Sequence, residues 1–172
     1  MIARKYEMRM RENRLPYLAS VGETKITDAE THENPRKMSN IVRSVYHVER
    51  LPEEYVYLMT FDTKLHLIGV FELSHGTSRE SVLSPSQIMP RVFLCGASTF
   101  CIAHNHPSGD VTPSEEDNRL TERIAAASKI CGVDFCDHII IAGAHKNAYY
   151  SYREHSTLLN SVSYTHLTLP TI

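Results

Sequence analysis

The chain has 172 residues, enough for one domain with a substantial core. It is 42% hydrophobic and 22% charged, an ordinary globular composition that argues against a disordered or fibrous chain. Its formal net charge of −2 gives no electrostatic basis for gripping nucleic acid across the whole surface. No apolar run approaches the roughly 18 residues of a membrane span. Charges begin at Arg4-Lys5, unlike a secretory leader, so the expected setting is cytoplasmic and away from membranes. The four cysteines, Cys95, Cys101, Cys131 and Cys136, form no Cys-x-x-Cys pair and have apolar neighbours. They read as small buried hydrophobes in a reducing compartment, not as disulfides or zinc thiolates.

Residues 1–33 are polar and weakly patterned, and read as an extended, flexible arm. The start of that arm is locally basic, with Arg4, Lys5, Arg9, Arg11 and Arg14 against Glu7 and Glu12, a pattern that suits a solvated segment. Asn34-Pro35 opens a helix, Asn as N-cap and Pro in the first turn, with Met38, Ile41, Val42 and Val45 on one face. That helix ends before Pro52. Tyr55 to Phe61 reads as a strand, Asp62-Thr63-Lys64 as a turn, and Leu65 to Leu73 as the returning strand. His75-Gly76-Thr77 opens a loop. A helix follows Ser84-Pro85, and Pro90 inside it should kink or shorten it. A strand over 99–104, a helix from Ser114 to Cys131 stopped by Gly132, and a strand from Val133 to Ala142 come next. Ala148 to Tyr152 supplies a short last strand. The alternation of helix and strand makes the domain α/β, spanning 34–160, and 161–172 reads as a non-native tail.

Residues 104–117, His-Asn-His-Pro-Ser-Gly-Asp-Val-Thr-Pro-Ser-Glu-Glu-Asp, carry the chemistry. Strand side chains alternate, so His104 and His106 point one way and Asn105 the other. Pro107, Ser108 and Gly109 turn the chain, and a helix begun at Ser114 brings Asp117 back over the strand end. Two imidazoles and one carboxylate are the donors of a catalytic zinc that keeps one position open. Ser114-x-x-Asp117 also reads as a plain helix cap, and a lone strand-end histidine as a hydrogen-bonded residue. The combination in one stretch favours the metal. The letters His-Asn-His do not indicate a nuclease, whose motif is dispersed over a ββα unit.

The spacing His-x-His-x7-Ser-x2-Asp resembles the signature of the JAMM (MPN-plus) metalloproteases. The fuller string resembles the bacterial RadC branch, as do Phe71-Glu72-Leu73-Ser74-His75-Gly76-Thr77, Leu94-Cys95-Gly96-Ala97, Asp137-His138-Ile139-Ile140-Ile141 and Tyr149-Tyr150-Ser151-Tyr152-Arg153-Glu154. Ser86 departs from the pattern, which usually has Arg there. The resemblance implies a mixed β-sheet flanked by helices, the MPN/JAMM (cytidine deaminase-like) architecture. It implies one Zn2+ per chain on His104, His106 and Asp117, and cleavage of a peptide or other amide substrate. It also implies an upstream glutamate as general base, matched by Glu54, with Glu53 and Glu72 as alternatives, and Ser114 as a donor to the oxyanion. His138 is expected to be structural, with a fourth-ligand role as the other reading. His32, His47, His66, His75, His145 and His155 show no ligand spacing and are expected at the surface. RadC proteins often carry a helix-hairpin-helix region before this domain, which is not expected within these residues. Their DNA-repair label points to an accessory module, and a silent metal-binding interaction domain is a further alternative. The accessory reading gains no support from a basic stripe or a helix-turn-helix signal, while Pro90 and the unmatched tail are the features that point to a silent copy.

Overall fold

The computed structural model describes residues 1–26, 34–75, 83–143 and 147–159. The segment 161–172, His32, His145 and the loop after His75 lie outside the described residues. The fold is one seven-stranded mixed sheet with helices on both faces. Its strands are β1 (Ile2–Met10), β2 (Pro16–Lys25), β3 (Tyr55–Phe61), β4 (Leu67–His75), β5 (Thr99–His106), β6 (Asp134–Ala142) and β7 (Tyr149–Ser151). Its helices are α1 (Pro35–Tyr46), α2 (Pro85–Leu94), α3 (Glu115–Cys131) and the single turn α4 (Tyr152–His155). The strands lie in the order β2-β1-β4-β3-β5-β6-β7. β5 runs parallel to β6, joined to it through α3. Among the described residues, no helix is long and apolar enough to cross a membrane.

Strand parity sorts the core. Tyr57, Met59, Cys101, Ala103, Ile139 and Ile141 pack against Met38, Ile41 and Val42 of α1. Leu58, Ile102 and Phe100 point to the opposite face, against Ile88 and Val92 of α2 and Ile124 of α3. β5 sits between the two layers, which is why Thr99 through Asn105 are buried without alternation. Asn34 caps α1, its Oδ1 accepting from Arg36 N at 2.9 Å and Lys37 N at 3.3 Å. Arg43 then ties α1 to the far side of the sheet, donating to the carbonyls of Ala142 and Ala148.

Three expectations are corrected. Residues 2–25 form an antiparallel hairpin, not a flexible arm, and β1 adds parallel to β4 at Lys5↔Val70. Local patterning hid this because only Ala3 is buried, while Tyr6 stacks on Phe71 of β4 at 5.7 Å and Lys5 lies over the ring of Tyr46. Those partners are distant in sequence, and the charges suit an edge ribbon that resists further strand pairing. α2 is not shortened at Pro90 but runs ten residues through it, held by buried Ile88, Met89 and Val92. Of the four free cysteines, Cys101 is buried, Cys95 and Cys136 are partly so, and Cys131 is exposed at the end of α3. A smaller shift affects β4: Asp62 Oδ1 accepts from both Lys64 N and His66 N at 2.8 Å, prolonging the turn to residue 66.

One buried acid sets a stability prediction. Asp137 of β6 accepts from Ser151 Oγ at 2.6 Å and from Arg153 N at 3.0 Å. Burial still pushes its carboxyl up to about 6, against the pull of those bonds. The folded chain therefore prefers the protonated acid: this contribution is complete below pH ~4 and is lost as pH rises through ~6. The shift corresponds to about 3 kcal/mol. Asp137→Asn should raise the urea midpoint at pH 7.5, with the gain over wild type closing toward pH 4. Equal differences at both pH values would contradict it.

Candidate metal centre

β5 continues as a strand through His106, so His104 and His106 leave the sheet on the face covered by α3. The chain then turns, with Gly109 at φ 79° and its N–H bonded to His106 O at 3.0 Å. Gly143 N donates to the same carbonyl at 2.9 Å. A Cβ on Gly143 would meet His106 O and Pro107 Cα at 3.0 Å, so the close approach of the chain after β6 to this turn favours glycine. α3 begins at a reciprocal cap: Ser114 Oγ accepts from Asp117 N at 3.1 Å, and Asp117 Oδ2 accepts from Ser114 N at 2.8 Å. Asp117 is thereby held in the first turn with its carboxylate facing the histidines.

The three side chains meet. His104 Nε2 lies 2.9 Å from His106 Nε2 and 3.2 Å from Asp117 Oδ1, and His106 Nε2 lies 3.6 Å from Asp117 Oδ2. Two donors each about 2.0–2.1 Å from a tetrahedral zinc stand about 3.3 Å apart, a separation these distances bracket. His104 is only 4% exposed, and the His106 and Asp117 side chains 14% each, leaving one open side. Burial alone would raise the Asp117 carboxyl, but the neighbouring His104 and His106 and the N–H of Ser114 hold it well below the usual carboxylate range. Burial would lower His106, yet Asp117 and the Asp110 carbonyl raise it above the ordinary imidazole value, with Glu54 adding to the pull. The cluster favours positive charge at its centre. Because His106 Nδ1 lies 2.6 Å from the Asp110 carbonyl, which can only accept, its proton sits there and Nε2 is left as the ligand atom. The donor set therefore fits zinc.

Glu54 reaches this centre through register. Val56 pairs with His104 across antiparallel β3 and β5, and extending that register past the start of β3 would bring Glu54 level with His106. Asn105, buried and pointing the other way, fixes that continuation. Its Oδ1 accepts from Tyr55 N at 2.9 Å and its Nδ2 donates to Glu53 O at 2.9 Å, clamping the backbone on both sides of Glu54. Glu54 itself is exposed at the rim of the site. Glu72 pairs with Tyr57, on the α1 face of the sheet, and Glu53 is one residue out of phase with Glu54. Ser114 is in place beside the cluster, but its hydroxyl proton points to Asp117 Oδ2 at 2.7 Å. His138 is fully buried behind His104, its Nε2 2.9 Å from His104 Nδ1, and so contacts a ligand without joining the ligand set. Of the other histidines, His47, His66 and His155 are exposed, as expected. Sequence reasoning passed over two features: the clamp by Asn105, and Thr121 behind His138, one helical turn beyond Asp117. Only the i+4 spacing from Asp117 hinted at the second.

A mixed sheet flanked by helices, with this His-His-Asp cluster where β5 meets α3, defines a JAB/MPN-type α/β domain. Residues 32–157 match the RadC-like JAB domain, and the chain belongs to that family. It is similar to a UPF0758 protein of Thermotoga maritima, 37% identical over 127 residues, covering 72% of this chain and 56% of that one. A UPF0758 protein of Alkaliphilus metalliredigens is 33% identical over 126 residues, covering 73% and 52%. One of Rubrobacter xylanophilus is 31% identical over 125 residues, covering 73% and 52%. The chain thus spans about half the length of the curated relatives it matches.

Proposed function

We propose that this domain is a zinc-dependent hydrolase of amide bonds, acting on a peptide or isopeptide. The observation that carries the reading is the convergence of His104, His106 and Asp117 within a site open on one side, with Glu54 at its rim. These three residues would hold the ion. Bound there, zinc supplies Lewis-acid polarisation of the scissile carbonyl and a water acidified to a pKa of about 7. Glu54 takes the attacking water's proton on its carboxylate and returns it to the leaving amine. Its exposed position lets it face both water and substrate. Asp117, fixed by the Ser114 cap, keeps its charge directed at the centre. Ser114 Oγ becomes a donor to the developing oxyanion when its proton turns from Asp117.

A nucleic-acid accessory role draws no support from a net charge of −2. The test is a screen of the zinc-loaded protein against peptide, isopeptide-linked and small-amide libraries, read by mass spectrometry. Cleavage that stops with a zinc chelator and returns with added zinc is the expected result. No chelator-sensitive cleavage of any amide class, from protein shown to contain zinc, would overturn the reading in favour of a silent binding domain.

A further inference from the structure

Behind the metal-facing histidine stands a second, fully buried one whose role in the site can be worked out by following protons. Thr121 Oγ1 lies 2.7 Å from the Asp117 backbone carbonyl and 2.7 Å from His138 Nδ1. A hydroxyl has one proton, and a carbonyl can only accept. Thr121 therefore gives its proton to Asp117 O and can only accept from His138, which places a proton on His138 Nδ1. His138 is fully buried and its two ring nitrogens meet a hydroxyl and another imidazole, with no carboxylate at either among the described residues, so it is neutral. Its Nε2 is then a lone pair, 2.9 Å from His104 Nδ1, and His104 must donate there. The remaining nitrogen of His104, Nε2, is left without a proton of its own and faces His106 and Asp117.

We infer that His138 and Thr121 are positioning residues, a proton-ordered relay that fixes His104 in the one tautomer able to ligate a metal through Nε2. The relay starts and ends on α3-borne and β5-borne parts of the same centre, since Asp117 supplies both a ligand oxygen and the carbonyl that anchors the chain. Tyr152 locks the ring of His138 by stacking on it, with ring centroids 5.0 Å apart and planes 4° from parallel. Tyr152 is itself held by its hydroxyl, which donates to Asn118 Oδ1 at 2.7 Å. Together with the Asp110 carbonyl on His106, the relay leaves two imidazole lone pairs facing each other at 2.9 Å. A shared cation would satisfy both lone pairs. Metal ligands usually orient their second ring nitrogen on a carboxylate, carbonyl or water. Here the same task falls to a neutral histidine whose own tautomer is set from behind.

The inference rests on the metal reading, and its test separates the two. Cobalt(II) titrations, followed by the visible bands of tetrahedral cobalt, are run on wild type, His138→Phe, His138→Gln, Thr121→Val and Thr121→Ser. His138→Phe and Thr121→Val should weaken cobalt binding about 10- to 100-fold, the range typical for loss of such partners. His138→Gln should restore it to within a few-fold, since its amide offers an acceptor to His104 and a donor to Thr121. Thr121→Ser should do the same. Wild-type affinity in folded His138→Phe, or failure of folded His138→Gln to rescue, would overturn the relay. Nitrogen-15 NMR of the metal-free wild type decides the matter without any variant: His104 and His138 should both carry their proton on Nδ1, and an Nε2–H tautomer at either overturns it. A wild type that binds no cobalt overturns the metal reading, while the NMR pattern still judges the relay.

Discussion

Purified wild-type protein is expected to hold one zinc per chain, and His104→Ala and Asp117→Ala to hold none. Each removes one of the three clustered donors, and among the described residues neither gap has a neighbour able to fill it. His138 presents its Nε2 to His104 and its Nδ1 to Thr121, so both its nitrogens are engaged. Glu54 is an exposed rim carboxylate outside the cluster of mutually close donor atoms. The Asp117 variant also strips the acceptor from Ser114 N–H, a cap loss of about 1 kcal/mol that applies with or without metal. Stability therefore gives a second, independent readout. Zinc at 1,000 times its dissociation constant should stabilise wild type by about 4 kcal/mol and leave both variants unmoved. Elemental analysis and denaturant curves with and without zinc check the two halves. A full zinc complement in the His104→Ala/Asp117→Ala double variant would sink the assignment.

The convergence of His104, His106 and Asp117 was legible because its geometry is local. Strand parity places His104 and His106 together, and a Pro-Ser-Gly turn followed by a Ser-capped helix returns Asp117, all within fourteen residues. The same holds for α1, whose Asn34-Pro35 start and one-sided apolar face appear as read. What failed was non-local. β1 joins the sheet through Tyr6 on Phe71 and Lys5 beside Val70, contacts about 65 residues away that no local pattern encodes. The shortening expected at Pro90 fails for a related reason: propensity disfavours it, but burial of Ile88, Met89 and Val92 carries the helix through. Asn105 and His138 were visible as letters but not as partners. Their roles depend on which backbone and ring atoms lie across β3 and behind β5, and pairing of strands decides that.

Glu54→Gln should keep the zinc and lose the reaction. The substitution preserves shape and, in an exposed position, costs little stability, while a neutral amide cannot take a proton from water. Loss of a positioned general base lowers the rate about 10²- to 10⁴-fold, which is about 3–5 kcal/mol in the barrier. Zinc content should match wild type, because Glu54 touches the centre only through its charge. That combination distinguishes a base from a ligand, since ligand loss removes metal and rate together. Glu72→Gln lies on the α1 face of the sheet and should leave turnover unchanged. Glu53→Gln should too: the part of Glu53 that matters is its carbonyl, held by Asn105, and the substitution leaves that bond intact. Turnover is measured on whichever amide the screen identifies, with metal content determined on the same samples. Full activity in Glu54→Gln would move the base elsewhere; a large loss in Glu53→Gln or Glu72→Gln would name its replacement. If all three retain activity, the proton is carried by a group outside this rim, and the register argument from Val56 and His104 fails as a guide to catalysis.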